Sequence, residues 1–177
     1  MKKMIVAAIT LMMSPVLADE TAFTTGPVFD AFGPVAEVES NFAIPNGMSF
    51  STRFDVSDGG EAGARNRRLE TAARFINMHA RAGVRLEKMT LAIVVHGKAV
   101  HDVTTAAHYA GAVGGENANA ALIAALSDQG VRIIVCGQSA AYYDVENAEL
   151  LPGVEMALSA MTAHAVLQQE GYVLNPF

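Results

Sequence analysis

The chain has 177 residues, 51% of them hydrophobic, enough for one well-buried domain. Eighteen acidic residues outnumber twelve basic ones, giving a net charge of −6 at pH 7. Such a balance argues against a nucleic-acid partner, because neutralising phosphates dominates that affinity. One cysteine, Cys136, excludes an internal disulfide, a C-x-x-C redox pair, a haem attachment motif and a thiolate zinc cluster.

Met1–Ala18 reads as a secretory signal peptide. Lys2 and Lys3 give a positive start, Met4 to Met13 an apolar stretch, and Val16-Leu17-Ala18 small or apolar residues for cleavage after Ala18. The stretch falls short of the about 20 apolar residues of a membrane span. The mature protein is therefore expected in the periplasm, soluble and without a membrane partner. Residues 19–47 hold three prolines and three glycines and predict an irregular arm. Its anchors Phe23, Val28, Phe29, Phe32 and Phe42 predict packing, either on its own domain or on a neighbouring subunit.

From residue 48 to 177 the pattern is regular. Met48–Val56 reads as a strand and Ser57-Asp58-Gly59-Gly60 as the loop after it. Leu69, Ala72, Ala73, Ile76 and Ala80 recur at helical spacing up to Gly83. Met89–Val95 is a second strand, stopped by His96-Gly97, and Thr104–Ala112 a short helix. Asn117 is placed to cap a helix carrying Leu122, Ile123 and Leu126, with Gly130 as its stop. Val131–Val135 is a strand buried on both faces, ending in Cys136-Gly137. One or two helical turns over Asp144–Leu151, a strand Val154–Leu158, a helix capped by Ser159 and a short strand Tyr172–Leu174 complete the chain. The alternation predicts a three-layer α/β/α sandwich with a five-stranded, mainly parallel sheet.

Parallel strands joined by helices all point one way, so Asp58, His96 and Cys136 are expected at one edge, where α/β sheets gather their chemistry. Cys136 also precedes a short helix, whose N-terminus favours a thiolate. Two readings of it stand side by side: a reactive thiol assisted by His96, or a small buried hydrophobe. His96 has its own alternative, a turn histidine satisfied by backbone. His101 and His108, on one helix, would stand about 10 Å apart, too far for one metal ion unless His101 lies in the loop and folds back. No metal is expected. His79 and His164 read as structural.

The Gly59-Gly60-x-x-Gly63 loop lacks both the P-loop and the dinucleotide orders and implies no cofactor. It leaves a weak anion site with Arg65 or simply a flexible backbone. No G-x-S-x-G elbow is present, and a cysteine hydrolase using Cys136 and His96 lacks a visible oxyanion signature. Around Cys136, any bound sulfur would be stabilised by backbone N–H groups, Gln138, Ser139 or His96.

Several segments together resemble the exported branch of the DsrE/DsrF-like proteins: Leu91-Ala92-Ile93-Val94-Val95-His96-Gly97, Asn117 to Gly130, Ile133-Ile134-Val135-Cys136-Gly137-Gln138-Ser139, Leu151-Pro152-Gly153-Val154 and Leu167-Gln168-Gln169-Glu170-Gly171-Tyr172. The resemblance runs over about residues 50–177. It implies a flavodoxin-like five-stranded sheet whose second and third strands are neighbours, bringing His96 beside Cys136, and assembly as a trimer or hexamer. It further implies a sulfur relay: a persulfide on Cys136, exchanged with a thiol-bearing donor or acceptor protein. Gly97, Gly137, Gln138, Ser139 and Asp58 are the candidate residues around the substrate. The alternative is an oligomeric binding or assembly module in which Cys136 does no chemistry.

Overall fold

The computed structural model of the chain describes residues 20–176, so the expected signal segment Met1–Ala18 lies outside them. The described chain opens with two short strands paired antiparallel, β1 (Phe23–Thr24) and β2 (Val35–Ala36). There follow β3 (Phe50–Val56), α1 (Arg67–Arg81), β4 (Met89–Val95), α2 (Ala106–Ala112) and α3 (Ala120–Asp128). The remainder is β5 (Arg132–Cys136), α4 (Gly137–Tyr142), β6 (Val154–Ala157), α5 (Ala160–Gln169) and β7 (Val173–Asn175). Strands β3 to β7 form one sheet in the order β6-β5-β4-β3-β7, parallel throughout. This is the expected α/β fold. Among the described residues no helix is long and apolar enough to cross a membrane.

Strand β4 occupies the centre, which explains its unbroken run Leu91-Ala92-Ile93-Val94-Val95: each of these side chains is buried. Alternation then divides them between two cores. Leu91, Ile93 and Val95 share one with Leu69, Ala72 and Ile76 of α1 and Leu122 and Leu126 of α3. Ala92 and Val94 share the other with Ala163 and Leu167 of α5. The two faces are unequally clothed, and the thinner one, under α5, is the face toward which Cys136 and His96 follow from Ile134 and Val94.

Caps set the ends of these helices. Asn66 accepts from the Arg68 N–H at α1, and Ser159, as predicted, accepts from the Thr162 N–H at α5. For α3 the cap position is Asn119, not Asn117. Asn117 instead accepts from the Asn119 N–H and donates to the Asp102 and Thr104 carbonyls, tying two loops together. Asp102, also buried, accepts from Asn66 and from the Gly60 N–H. The glycine loop after β3 is thus held by the protein's own carboxylate. Arg65 donates to Glu70 and to the Ala31 carbonyl, so the cation suggested for an anion site there is already engaged.

The arm lies on its own domain. Phe29 and Val35 are buried, and Val28 and Phe32 pack against the main core, whereas Phe23 and Phe42, expected as anchors, are exposed. Phe42 lies beyond β2 and is 86% exposed. The polar lock is Asn77, in the middle of α1 and fully buried. Its Oδ1 accepts from the Val28 and Phe29 N–H groups, and its Nδ2 donates to the carbonyls of Phe29, Phe32 and Gly33. One turn on, Arg81 donates to the carbonyls of Thr24, Thr25, Gly26 and Val35. Replacing Asn77 strands several buried backbone groups at once, each costing about 1–3 kcal/mol when unsatisfied. Asn77→Ala is therefore expected to lower stability by about 3 kcal/mol or more in urea unfolding and to expose the arm to limited proteolysis. An arm as protected as in the wild type would contradict this assignment.

Candidate functional site

The paired residues Val95 and Val135 end the register between β4 and β5, and one position beyond them stand His96 and Cys136. Neighbouring strands run about 4.8 Å apart, so the two side chains emerge next to each other. Both point to the α5 face, as the alternation from Val94 and Ile134 requires. Two glycines make this edge possible. Gly97 has φ +55°, and a Cβ on it would stand 2.7 Å from the Ser57 carbonyl oxygen. A Cβ on Gly137 would stand 2.6 Å from the Ala157 carbonyl oxygen. Both backbones approach more closely than any side chain allows.

Cys136 is the N-cap residue of α4 and is 5% exposed. Burial pushes its thiol up. The polar groups around it, the Ser139 hydroxyl and the backbone N–H groups of Ser139, Ala160 and Gln138, pull it down by more, so the thiol lies below its ordinary value, although the sulfur makes no capping hydrogen bond to α4. Ser139 also accepts from the Gly97 N–H at 3.0 Å, so one hydroxyl joins the loop after β4 to the thiol. Gln138 turns outward, its amide donating to the Leu158 carbonyl.

His96 faces a carboxylate, though not the predicted one. Asp58 is exposed and lies 3.5 Å from Arg68, away from the thiol, because the chain has left the sheet by then. The carboxylate at the site is Asp55, inside β3 and on the same face: its Oδ2 lies 3.1 Å from His96 Nε2. Its Oδ1 lies 2.7 Å from Nε2 of His164, in α5. His164, read from the sequence as structural, is thus part of the site. Its Nδ1 accepts from Arg53 Nε at 3.1 Å; since arginine only donates, the His164 proton is fixed on Nε2, toward Asp55. The Arg53 guanidinium is buried and further donates to the Tyr172 carbonyl and to Gln168. Burial pushes the Asp55 carboxyl up, but the hydrogen bonds and charge of His164 and His96 hold it below the usual carboxylate range.

The structure therefore unites Cys136, His96, Gly97, Gly137 and Ser139, leaves Gln138 at the rim and Asp58 apart, and adds Asp55, His164 and Arg53. One signal was available in the sequence: Arg53 and Asp55 are two charges on one face of a strand that helices cover on both sides. The other histidines lie elsewhere. His79 bonds the Phe75 carbonyl and stacks on the Phe75 ring. His101 is not on the helix of His108; it lies in the preceding turn and folds back, bringing the ring centroids to 5.9 Å, with Glu149 on His108. Among the described residues no group of three or more His, Cys, Asp or Glu side chains could hold a metal ion.

A five-stranded parallel α/β sandwich with a cysteine and a histidine at adjacent strand ends on its carboxyl edge defines the class. Residues 54–176 match the DsrE/DsrF-like family, and the chain belongs to that family. Among solved structures it is similar to a protein of unknown function, MTH1491, from Methanobacterium thermoautotrophicum, with 16% identity and a TM-score of 0.54 over 73% of this chain and 100% of that one. It is also similar to the ychN protein from E. coli, with 18% identity and a TM-score of 0.51 over 72% of this chain and 100% of that one. At these identities the likeness is one of fold. No curated protein matches the chain.

The thiolate is the form that alkylates, so a depressed thiol value places the rise in reactivity at lower pH than for an ordinary cysteine. Ser139→Ala removes a hydrogen bond to the charged form and is expected to raise the thiol value. The midpoint of the rate of iodoacetamide labelling against pH then moves upward. A midpoint that stays in place would show that the hydroxyl does not stabilise the thiolate.

Proposed function

We propose that this protein carries sulfane sulfur as a persulfide on Cys136 and passes it to a thiol acceptor, working in the periplasm after cleavage at Ala18. The observation that supports this best is the ring of donors on the thiol: the Ser139 hydroxyl and three backbone N–H groups favour its charged form. Membership of a family known for sulfur relay points the same way. In the loading step the Cys136 thiolate attacks the outer sulfur of a donor persulfide R–S–SH. A new S–S bond forms, the donor's S–S bond breaks, and R–S⁻ leaves with the electron pair, so no external oxidant is needed. Unloading is the same exchange with an acceptor thiolate. The partner is then a thiol-bearing protein or small molecule.

The protein is further proposed to work as a homo-oligomer, a trimer or hexamer. Leu158, Met161 and Val166 are exposed along β6–α5, and Leu158 and Val166 border a cavity of about 170 Å³ that also touches Ile134 and Leu167. Apolar surface of this kind marks interfaces.

A second reading has one observation in its favour: only 5% of Cys136 is exposed. In it the protein is an oligomeric binding or assembly module, with its pocket at the same edge and no chemistry at sulfur.

Intact mass of the mature protein after incubation with a sulfane-sulfur donor separates the two. The carrier reading expects a gain of one sulfur atom, about 32 Da, removed by reductant and absent in Cys136→Ser. No gain across several donors, with a thiol that labels only on unfolding, would leave the binding module.

A further inference from the structure

We propose that Asp55 is a positioning residue for proton transfer at Cys136, acting through His96 and itself held in place by His164 and Arg53. The inference rests on the reading that Cys136 exchanges sulfur, and adds the group that handles the proton. It stands on three pieces of geometry. Asp55 Oδ2 engages Nε2 of His96, while Nδ1 of His96 has no hydrogen-bond partner among the described residues. A histidine whose Nε2–H points at a carboxylate keeps its lone pair on Nδ1, and that nitrogen is free to take a proton. His96 and Cys136 then follow the last paired residues of adjacent strands, on one face. Finally, Asp55 cannot turn away, because its second oxygen is bound to His164, which Arg53 orients from the far side.

The charged and titratable groups around His96 are thus Asp55 from β3, which bonds its ring, His164 from α5 and Arg53 from β3, which hold Asp55, and Cys136 from β5, which reacts. The order carboxylate, imidazole, thiol is that of an activated nucleophile whose base is oriented by a third group, here drawn from the ends of three neighbouring parallel strands. In the loading step Nδ1 takes the Cys136 proton, leaving the thiolate that attacks, and the S–S bond to the outer sulfur forms. The donor's S–S bond breaks, and Nδ1 returns the proton to the departing R–S⁻, releasing R–SH. Atoms, protons and electrons balance without a further reactant.

The test measures rate against pH for Cys136 in the full mature protein, first with iodoacetamide and then with a low-molecular-weight persulfide. It compares the wild type with Asp55→Asn, His96→Ala and the double variant. Asp55→Asn is expected to slow sulfur loading by about 100-fold near neutral pH, the usual weight of a positioned acid–base group, and to change the shape of both pH profiles. The double variant should be no slower than His96→Ala, because the carboxylate acts only through the imidazole. A merely structural Asp55 would lower stability yet leave the profiles alone, and that result overturns the proposal. Altered alkylation profiles with no sulfur uptake in any form would keep the relay and remove the carrier reading. Normal uptake with unchanged profiles in Asp55→Asn would do the reverse. Should Asp55→Asn fail to fold, nitrogen NMR of wild-type His96 decides: the Nε2–H tautomer is expected, and the Nδ1–H tautomer overturns the inference.

Discussion

A guanidinium cannot give up its proton inside a protein, so burying Arg53 commits the fold to supplying partners for it. It has three: His164 and Gln168 on α5, and the carbonyl of Tyr172 just before β7. The thin side of the sandwich is organised by this requirement. Arg53 sits in β3, between the central strand and the edge strand β7, and its three bonds hold the one helix among the described residues that shares a core with Ala92 and Val94. With α5 held at His164 and Gln168, its first residue, Ala160, lies by the Cys136 thiol and its His164 reaches Asp55. Removing the arginine would loosen a helix that apolar contact alone holds weakly, since only Ala163 and Leu167 of α5 are buried.

The opposite face needs no such device. There α1 and α3 bury a continuous cluster of aliphatic and aromatic side chains, and polar residues enter only where loops must be tied. Asn66, Asp102, Asn117 and Asn119 form one hydrogen-bonded group behind the strand ends, and Asn77 with Arg81 secures the arm. Burial pushes the Asp102 carboxyl up even though Asn66 and the Gly60 N–H bond to it. Fully satisfied networks of this sort specify one arrangement more than they add stability. They hold the loops after β3 and β4 still, and Gly97 belongs to one of those loops.

This division explains what could be read in the sequence. An apolar run at the centre of a parallel sheet is buried on both faces, so β4 and β5 were visible as runs, and their ends gave His96 and Cys136. The fold and the shared edge of that pair follow from periodicity, while the adjacency of their strands, implied by the family resemblance, is seen in the sheet order. Strand-end reasoning points to Asp58 because it looks at the residues that leave the sheet and passes over Asp55 inside β3. In fact alternation turns Asp55 toward α5. His164 was hidden for a related reason: nothing in a ten-residue helix says which side chain will meet a charge from a strand 109 residues earlier. Asn77 was equally silent, its partners being backbone groups of a segment with no pattern of its own.

Reactivity at sulfur needs both ionisation and access, and this site separates the two. Ionisation is favoured: the polar groups around Cys136 lower its thiol despite burial. Access is the scarce quantity, with 5% of the residue exposed. Gly137 lies so close to the Ala157 carbonyl that a Cβ there would stand 2.6 Å from its oxygen, so the backbone beside the thiol is closely packed. What can move is at the rim: the Gln138 amide, bonded only to the Leu158 carbonyl, and the exposed side chains of Leu158 and Met161. A partner that engages those apolar side chains would act on the cover of the thiol while leaving its hydrogen bonds untouched. Docking and exposure of the sulfur are then one event, and a small free donor meets a more closed site than a protein partner does.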